Sequence, residues 1–116
     1  MLDARMMETI NKKPNAMVPW FLMAAYAYEF LNRPILSDET WDHLCLRLKR
    51  EWRSLRHQHK WIIDPKQLIS GTAHYLTVDD YPGVAIGAVT RLIEEHDYEQ
   101  RLQGRRSCRR RRRVSS

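Results

Sequence analysis

Apolar residues recur at helical spacing over residues 16–31, and this spacing fixes the first element of the chain. Three or four residues separate successive apolar positions, which is the pattern of a helix that buries one face. The residues on this face are Met17, Trp20, Phe21, Ala24, Ala25, Tyr28 and Leu31. Pro19 falls in the first turn, where its missing N–H costs little, and the residue before Pro34 avoids the helical region. The spacing therefore predicts a helix that ends shortly before Pro34.

Start signals predict a second and a third helix. Ser37 is a good N-cap, and the two acidic residues after it stand in the first turn, where the helix dipole favours them. Apolar residues then continue at helical spacing to about residue 57. Pro82 suits the first position of a third helix, which we expect to end near Gly104 because glycine commonly follows a helix.

Two further stretches are less regular. Residues 1–13 are expected to form a frayed lead-in or a short helix, and residues 57–80 form short strands or short helices, between which the pattern does not decide. A chain of 116 residues with 43% hydrophobic composition suffices for one domain with a modest core. The predicted fold class is all-α: a small bundle of about three helices over residues 1–104, followed by a disordered or partner-ordered basic tail, residues 105–116.

The basic tail accounts for all of the net positive charge of the chain. Residues 105–113 hold seven arginines and no acid, and without them 13 basic residues face 14 acidic ones. A nearly neutral body with a cationic segment indicates a polyanionic partner, most commonly nucleic acid, and leaves DNA and RNA open. The outer face of the second helix is also basic. The predicted nucleic-acid-binding residues are Arg105, Arg106, Arg109, Arg110, Arg111, Arg112, Arg113, Arg47, Arg50 and Arg53.

The sequence argues against several classes of protein. It has four glycines and no GxGxxG or GxxxxGK[ST] motif, so no glycine-rich phosphate loop is expected. No run of 18 apolar residues indicates a membrane span, and the first residues lack the order of a signal peptide. Two cysteines give no disulfide framework and favour a reducing compartment. We expect a cytoplasmic protein without membrane contact, located in the host cytoplasm or in the virion if its source is viral.

No metal site or nucleophilic pair is predicted either. His57 and His59 form an H-x-H motif, and His43 and Cys45 stand on the second helix, but these spacings do not match a structural zinc site. Cys45 falls on the apolar face of that helix, where a thiol is expected to be buried and inert.

Residues 26–44 read Tyr-Ala-Tyr-Glu-Phe-Leu-Asn-Arg-Pro-Ile-Leu-Ser-Asp-Glu-Thr-Trp-Asp-His-Leu. An aromatic-rich helix, a short turn with proline and a Ser-Asp-x-x-aromatic-Asp-x-Leu start of the next helix resemble the small N-terminal helical domain of NAD-dependent DNA ligases. The match covers roughly residues 20–56. In that family the domain holds the nicotinamide mononucleotide half of NAD. The resemblance implies the same role for Tyr28, Asp38, Trp41 and Asp42, and a stand-alone relative of phage origin.

The chain departs from the family pattern at three points. Glu29 stands where the family usually has His, and Trp41 replaces a Tyr. No Lys-x-Asp-Gly motif for self-adenylation is present, so we expect no enzyme and no catalytic residues. The alternative for the four residues is structural: Asp38 stabilises a helix N-terminus, and Trp41 packs in the core. We therefore expect no cofactor, and binding of NAD or nicotinamide mononucleotide no tighter than roughly 1 mM.

Three hypotheses for function follow. The first is a non-enzymatic nucleic-acid-associated protein whose basic tail binds phosphate backbones while the body contacts a protein partner or its own copies. The second is a structural component of a viral particle or other large assembly, with the basic tail facing the genome. The third is a stand-alone accessory module that binds NAD or nicotinamide mononucleotide.

Overall fold

A computed structural model describes residues 1–68, 71 and 73–114, with side chains described as far as residue 104. Four helices make up the fold: α1 (Asp3–Lys12), α2 (Met17–Glu29), α3 (Asp38–Glu51) and α4 (Gly83–Val114). Short 3-10 turns connect them, and the described residues contain no strand. The all-α class is confirmed, and the undecided stretch over 57–80 contains three short 3-10 turns (Lys60–Ile62, Pro65–Leu68 and Val78–Asp80) joined by irregular segments, with no strand among its described residues.

Helix α2 lies at the centre of the molecule. It packs against α3 and α4, and nine of its 13 residues are buried. A helix that is apolar on nearly all sides is typical of a core position, so α2 buries more than the single face that its spacing predicts. Its polar positions are concentrated at its C-terminal end, where Tyr28 is exposed and Glu29 is half-buried.

Helix α1 explains why the bundle has four helices and not about three. The stretch expected as a frayed lead-in or a short helix forms three turns, and Met6 and Ile10 on one side of it are completely buried. Contacts of this apolar face with the rest of the core stabilise a helix that its polar sequence would not maintain alone. The Leu2 N–H also donates to the Ile35 carbonyl at 2.7 Å, which connects the start of α1 to the segment before α3.

Two helix ends differ from those predicted. Helix α3 stops at Glu51, before residue 57, because the chain tightens into a 3-10 turn over Trp52–Ser54 and the Ser54 hydroxyl donates to the freed Glu51 carbonyl at 2.8 Å. Leu55 then becomes extended and fully buried. Helix α4 continues through Gly104 to Val114. A single helical glycine costs only about 1 kcal/mol relative to alanine, which is too little to end a helix by itself.

Ion pairs join α4 to the rest of the body. The Arg33 guanidinium contacts both carboxylate oxygens of Asp97, one of them at 2.9 Å, and Arg5 lies 3.8 Å from Glu95. Beyond these pairs α4 leads into the basic tail, whose side chains lie outside the described part of the structure. The expectation that the tail is disordered or ordered by a partner therefore stays a prediction. Among the described helices, none is long and apolar enough to cross a membrane.

Candidate functional site

A pocket lies where the C-terminal end of α2 meets the first turns of α3. Its volume is about 310 Å³, near the lower end of the range for small-molecule sites. Part of its wall comes from Gly71, Ala73 and His74. The lining residues are Ala24, Ala25, Tyr28, Glu29, Pro34, Ile35, Leu36, Asp38, Trp41, Gly71, Ala73 and His74.

Trp41 forms a fixed aromatic wall of this pocket. Its ring stacks on Phe21 of α2, with centroids 4.9 Å apart and planes inclined by 25°. Its indole Nε1–H donates to the Gly71 carbonyl at 2.8 Å. Gly71 has a φ of +64°, a left-handed conformation that favours glycine. These contacts hold the indole at one orientation, with Trp41 partly buried against the core while it also lines the pocket.

The N-terminus of α3 brings the first carboxylate to the pocket. Ser37 caps the helix by accepting from the Thr40 N–H at 3.3 Å, as the sequence predicts. The Ser37 N–H in turn donates to an Asp3 side-chain oxygen at 2.9 Å, which connects this cap to α1. Asp38 is therefore held at the start of the helix with its side chain exposed, on the rim of the pocket.

A second carboxylate comes from α2. Glu29 lies beside Tyr28, and its Oε1 is 2.9 Å from Nδ1 of His74 in the opposite wall. Tyr28 is 58% exposed, an unusual state for a large aromatic residue at the end of a core helix. Its exposed ring offers a stacking surface at the mouth of the pocket.

The structure thus brings together three of the four residues that the resemblance implies. Tyr28, Asp38 and Trp41 all line the pocket. Asp42 does not line it, but its Oδ1 lies 3.6 Å from the position that a Cβ on Gly71 would occupy, directly beside the wall. The pairing of Glu29 with His74 is not predicted by the sequence, because no local pattern indicates that two residues 45 positions apart become neighbours.

The chemistry of the pocket favours a flat cationic ligand with hydroxyl groups. Two carboxylates, Glu29 and Asp38, line it beside two aromatic side chains, and the described lining includes no lysine or arginine. Aromatic faces attract cations, and carboxylates accept hydrogen bonds from sugar hydroxyls.

A second, shallower cleft lies at the other end of α3. It has a volume of about 470 Å³, and four of its lining residues are basic. The lining residues are Lys49, Arg50, Glu51, Trp52, Arg53, Ser54, Pro65 and Lys66. The acidic member, Glu51, already accepts from Arg47 at 2.8 Å, so the open surface of the cleft is cationic.

The three arginines outside the tail that the sequence predicts to bind nucleic acid differ in their exposure. Arg50 and Arg53 are exposed and border the basic cleft. The side chain of Arg47 is only 16% exposed, because it bonds to Glu51 and donates to Asn11 of α1 at 2.7 Å. The seven arginines of the basic tail lie outside the described side chains, so their predicted role is not tested by the geometry.

Cys45 and His57, which the sequence singles out as candidate reactive groups, have surroundings that are typical of structural residues. Burial, with a smaller contribution from the Asp42 charge, raises the pKa of the Cys45 thiol to about 12, so it is protonated at neutral pH. Burial and the neighbouring His59 lower the pKa of His57, whose Nδ1 accepts from the His59 backbone N–H at 3.1 Å. No cluster of three metal-ligating side chains occurs among the described residues.

The tryptophans differ in surroundings. Trp20 is buried, Trp52 is partly buried beneath the Lys60 ammonium at 4.7 Å, and Trp61 is 79% exposed.

Comparisons of the chain with protein families, with curated proteins and with solved structures find no match.

Proposed function

We propose that this protein is a non-enzymatic binding module for a small ligand that consists of a flat cationic ring joined to a ribose, the chemistry of the nicotinamide nucleoside portion of NAD. One observation supports this proposal above all: Tyr28, Asp38 and Trp41, which come from two helices, line a single pocket. These are residues that the resemblance to the ligase domain implies for the same ligand class.

Each side chain has a distinct part in the proposed binding. The ring stacks on the exposed face of Tyr28 or on the fixed indole of Trp41, since both aromatic faces attract a positive charge. Asp38 on the rim accepts hydrogen bonds from ribose hydroxyls. Because Trp41 is already held by Phe21 and by the Gly71 carbonyl, its orientation costs no entropy when the ligand binds.

The presence of a preformed pocket leads us to expect a higher affinity than the sequence alone does. An estimate of roughly 1 mM or weaker assumes an exposed site with few contacts. A preformed pocket with two aromatic walls and two carboxylates supports tighter binding, and we expect a Kd on the order of 100 µM for nicotinamide riboside.

Isothermal titration calorimetry with nicotinamide riboside tests this proposal. Asp38→Asn should weaken binding at least about tenfold, because a charge-assisted hydrogen bond to the sugar is lost. Glu39→Gln is the matched control, since Glu39 is the next residue of the same helical turn, is exposed and does not line the pocket. Undetectable binding to the wild-type protein, or equal effects of the two substitutions, would contradict the proposal.

A second candidate function is association with nucleic acid. The seven arginines of the basic tail and the four cations of the basic cleft support it. Arginine binds phosphate with a bidentate fork and neutralises the backbone without reading sequence. The tail would supply most of the affinity, and the cleft would extend the contact onto the folded body.

Salt-dependent binding to a short DNA duplex tests this second candidate. With up to seven phosphates neutralised by the tail alone, the logarithm of the binding constant should fall with the logarithm of salt concentration at a slope of roughly −6, and contacts of the cleft should make it steeper. Deletion of residues 105–116 should remove most of the affinity, whereas Arg53→Ala should lower the slope by about one. An affinity that the deletion leaves unchanged would contradict this role.

A further inference from the structure

The charges around the pocket bear on the form in which a ligand enters it. Two carboxylates line the pocket, and Asp42 lies beside the wall at Gly71. The basic group of the lining, His74, is in contact with Glu29 at 2.9 Å. A phosphate group on the ligand would approach these carboxylates without a lysine or arginine in the described lining to compensate for the repulsion.

The positions of lysine and arginine along the sequence also leave the pocket without a compensating charge. The sequence has no lysine or arginine between Lys66 and Arg91, the stretch that supplies one wall of the pocket. Arg33 immediately precedes the lining residue Pro34, but its guanidinium is engaged with Asp97 of α4. The nearest arginine in the chain is therefore held by another element.

The N-terminus of α3 borders the pocket and would ordinarily attract an anion. Here its own side chains already occupy that role. Ser37 accepts from the Thr40 N–H, and the carboxylates of Asp38 and Glu39 stand in the first turn, where they complement the helix dipole. A phosphate at this helix end would have to compete with these groups.

We propose that the pocket binds its ligand as the phosphate-free nucleoside, such as nicotinamide riboside, and discriminates against the 5′-phosphorylated forms. This inference rests on the proposed function and specifies its ligand class. The cationic ring gains from the nearby carboxylates, while a phosphate on the ribose loses by the same charges. Nicotinamide riboside should bind at least about tenfold more tightly than nicotinamide mononucleotide, and NAD should bind no better than the mononucleotide.

Calorimetric titration of the full chain with nicotinamide riboside, nicotinamide mononucleotide and NAD tests this selectivity. Glu29→Gln removes one of the two carboxylates of the lining, so the ratio between the first two affinities should shrink to about threefold or less. Glu39→Gln, which removes an exposed carboxylate outside the lining, should preserve the wild-type ratio. High salt should also reduce the ratio for the wild-type protein, which keeps the test informative if Glu29→Gln does not fold.

The outcomes separate the two proposals. Tight binding of the nucleoside with weak binding of both phosphorylated ligands supports the inference. Equal or tighter binding of the mononucleotide overturns it and leaves the pocket as a site for nicotinamide nucleotides. The absence of binding by all three ligands overturns both proposals.

Discussion

The two ends of α3 carry opposite charges and lie in different surroundings. Asp38 and Glu39 stand in its first turn and Lys49 and Arg50 in its last, and both placements complement the helix dipole. Charge alone therefore indicates helix stability at both ends and does not identify a ligand. The surroundings differ: the acidic end borders a pocket with a fixed indole, whereas the basic end borders a shallow cleft.

Cys45 lies in the middle of α3, and the reactivity of its thiol tests whether this part of the helix is buried. Burial raises the pKa of its thiol from 9.0 to about 12. In a Cys108→Ser background, alkylation at mildly alkaline pH should therefore be at least about a hundredfold slower than for a free thiol, and it should accelerate in denaturant. Rapid labelling of the native protein would show that the middle of α3 is not buried.

Removal of the aromatic wall should have the largest effect on stability. Trp41→Ala deletes the stacking on Phe21 and the hydrogen bond to Gly71, and we expect a loss of about 3 kcal/mol in urea unfolding, because the indole is partly buried. Trp41→Phe retains the ring and loses only the N–H donor, at a cost of about 1 kcal/mol. Equal stabilities of Trp41→Ala and wild type would mean that the acidic end is as loosely packed as the basic end.

The hydrogen bonds that cap the two ends of α3 should differ less in the stability that they contribute. Ser37→Ala removes the acceptor for the Thr40 N–H and should cost about 1 kcal/mol in the free energy of unfolding. Ser54→Ala removes the exposed hydroxyl that donates to the Glu51 carbonyl, and its cost should be smaller. Denaturant unfolding of both variants checks this order, and a larger loss for Ser54→Ala would reverse the assignment of the better-fixed end.

At the basic end, loss of a cation should hardly affect folding. Lys49→Ala and Arg53→Ala should change the free energy of unfolding by no more than about 0.5 kcal/mol, because both side chains are exposed. Thermal unfolding of each variant measures this. A large loss of stability would show that the cleft residues pack the body and do not form an open anionic-ligand surface.

The smallest predicted effect concerns Arg33, which lies in the segment between α2 and the acidic end of α3. The hydrogen bond from Arg33 lowers the pKa of Asp97 below its ordinary value of 3.8. The folded protein therefore holds this carboxylate ionised more readily than the unfolded chain, and the stabilisation is present above that value and is lost as the pH falls through the lowered pKa. The wild-type melting temperature should fall more steeply in acid than that of Asp97→Asn, and parallel curves would contradict the pairing.

The sequence predicts the parts of this fold that local signals specify. The apolar spacing of α2, the Ser37 cap and the proline before it establish two adjacent helices, and the resemblance places Tyr28, Asp38 and Trp41 at their junction. The structure confirms the helices and brings those three residues into one pocket.

Long-range contacts account for what the sequence does not predict. The helix α1 depends on burial of Met6 and Ile10 against distant elements. The contact of Glu29 with His74 depends on how the turns over residues 57–80 fold back. Arg47 looks like part of a basic face until Asn11 of α1 is seen to accept from it. Neither of the last two contacts leaves a periodic signal in the chain.

The central claim is that the acidic end of α3, and not its basic end, receives the ring-bearing ligand. Titration of the labelled protein with nicotinamide riboside, followed by amide and indole N–H chemical shifts in NMR, tests it most directly. We expect saturable shifts at Tyr28, Glu29, Asp38 and the Trp41 indole, with residues 49–53 unchanged. Shifts centred on residues 49–53, or the absence of any saturable shift, would contradict it.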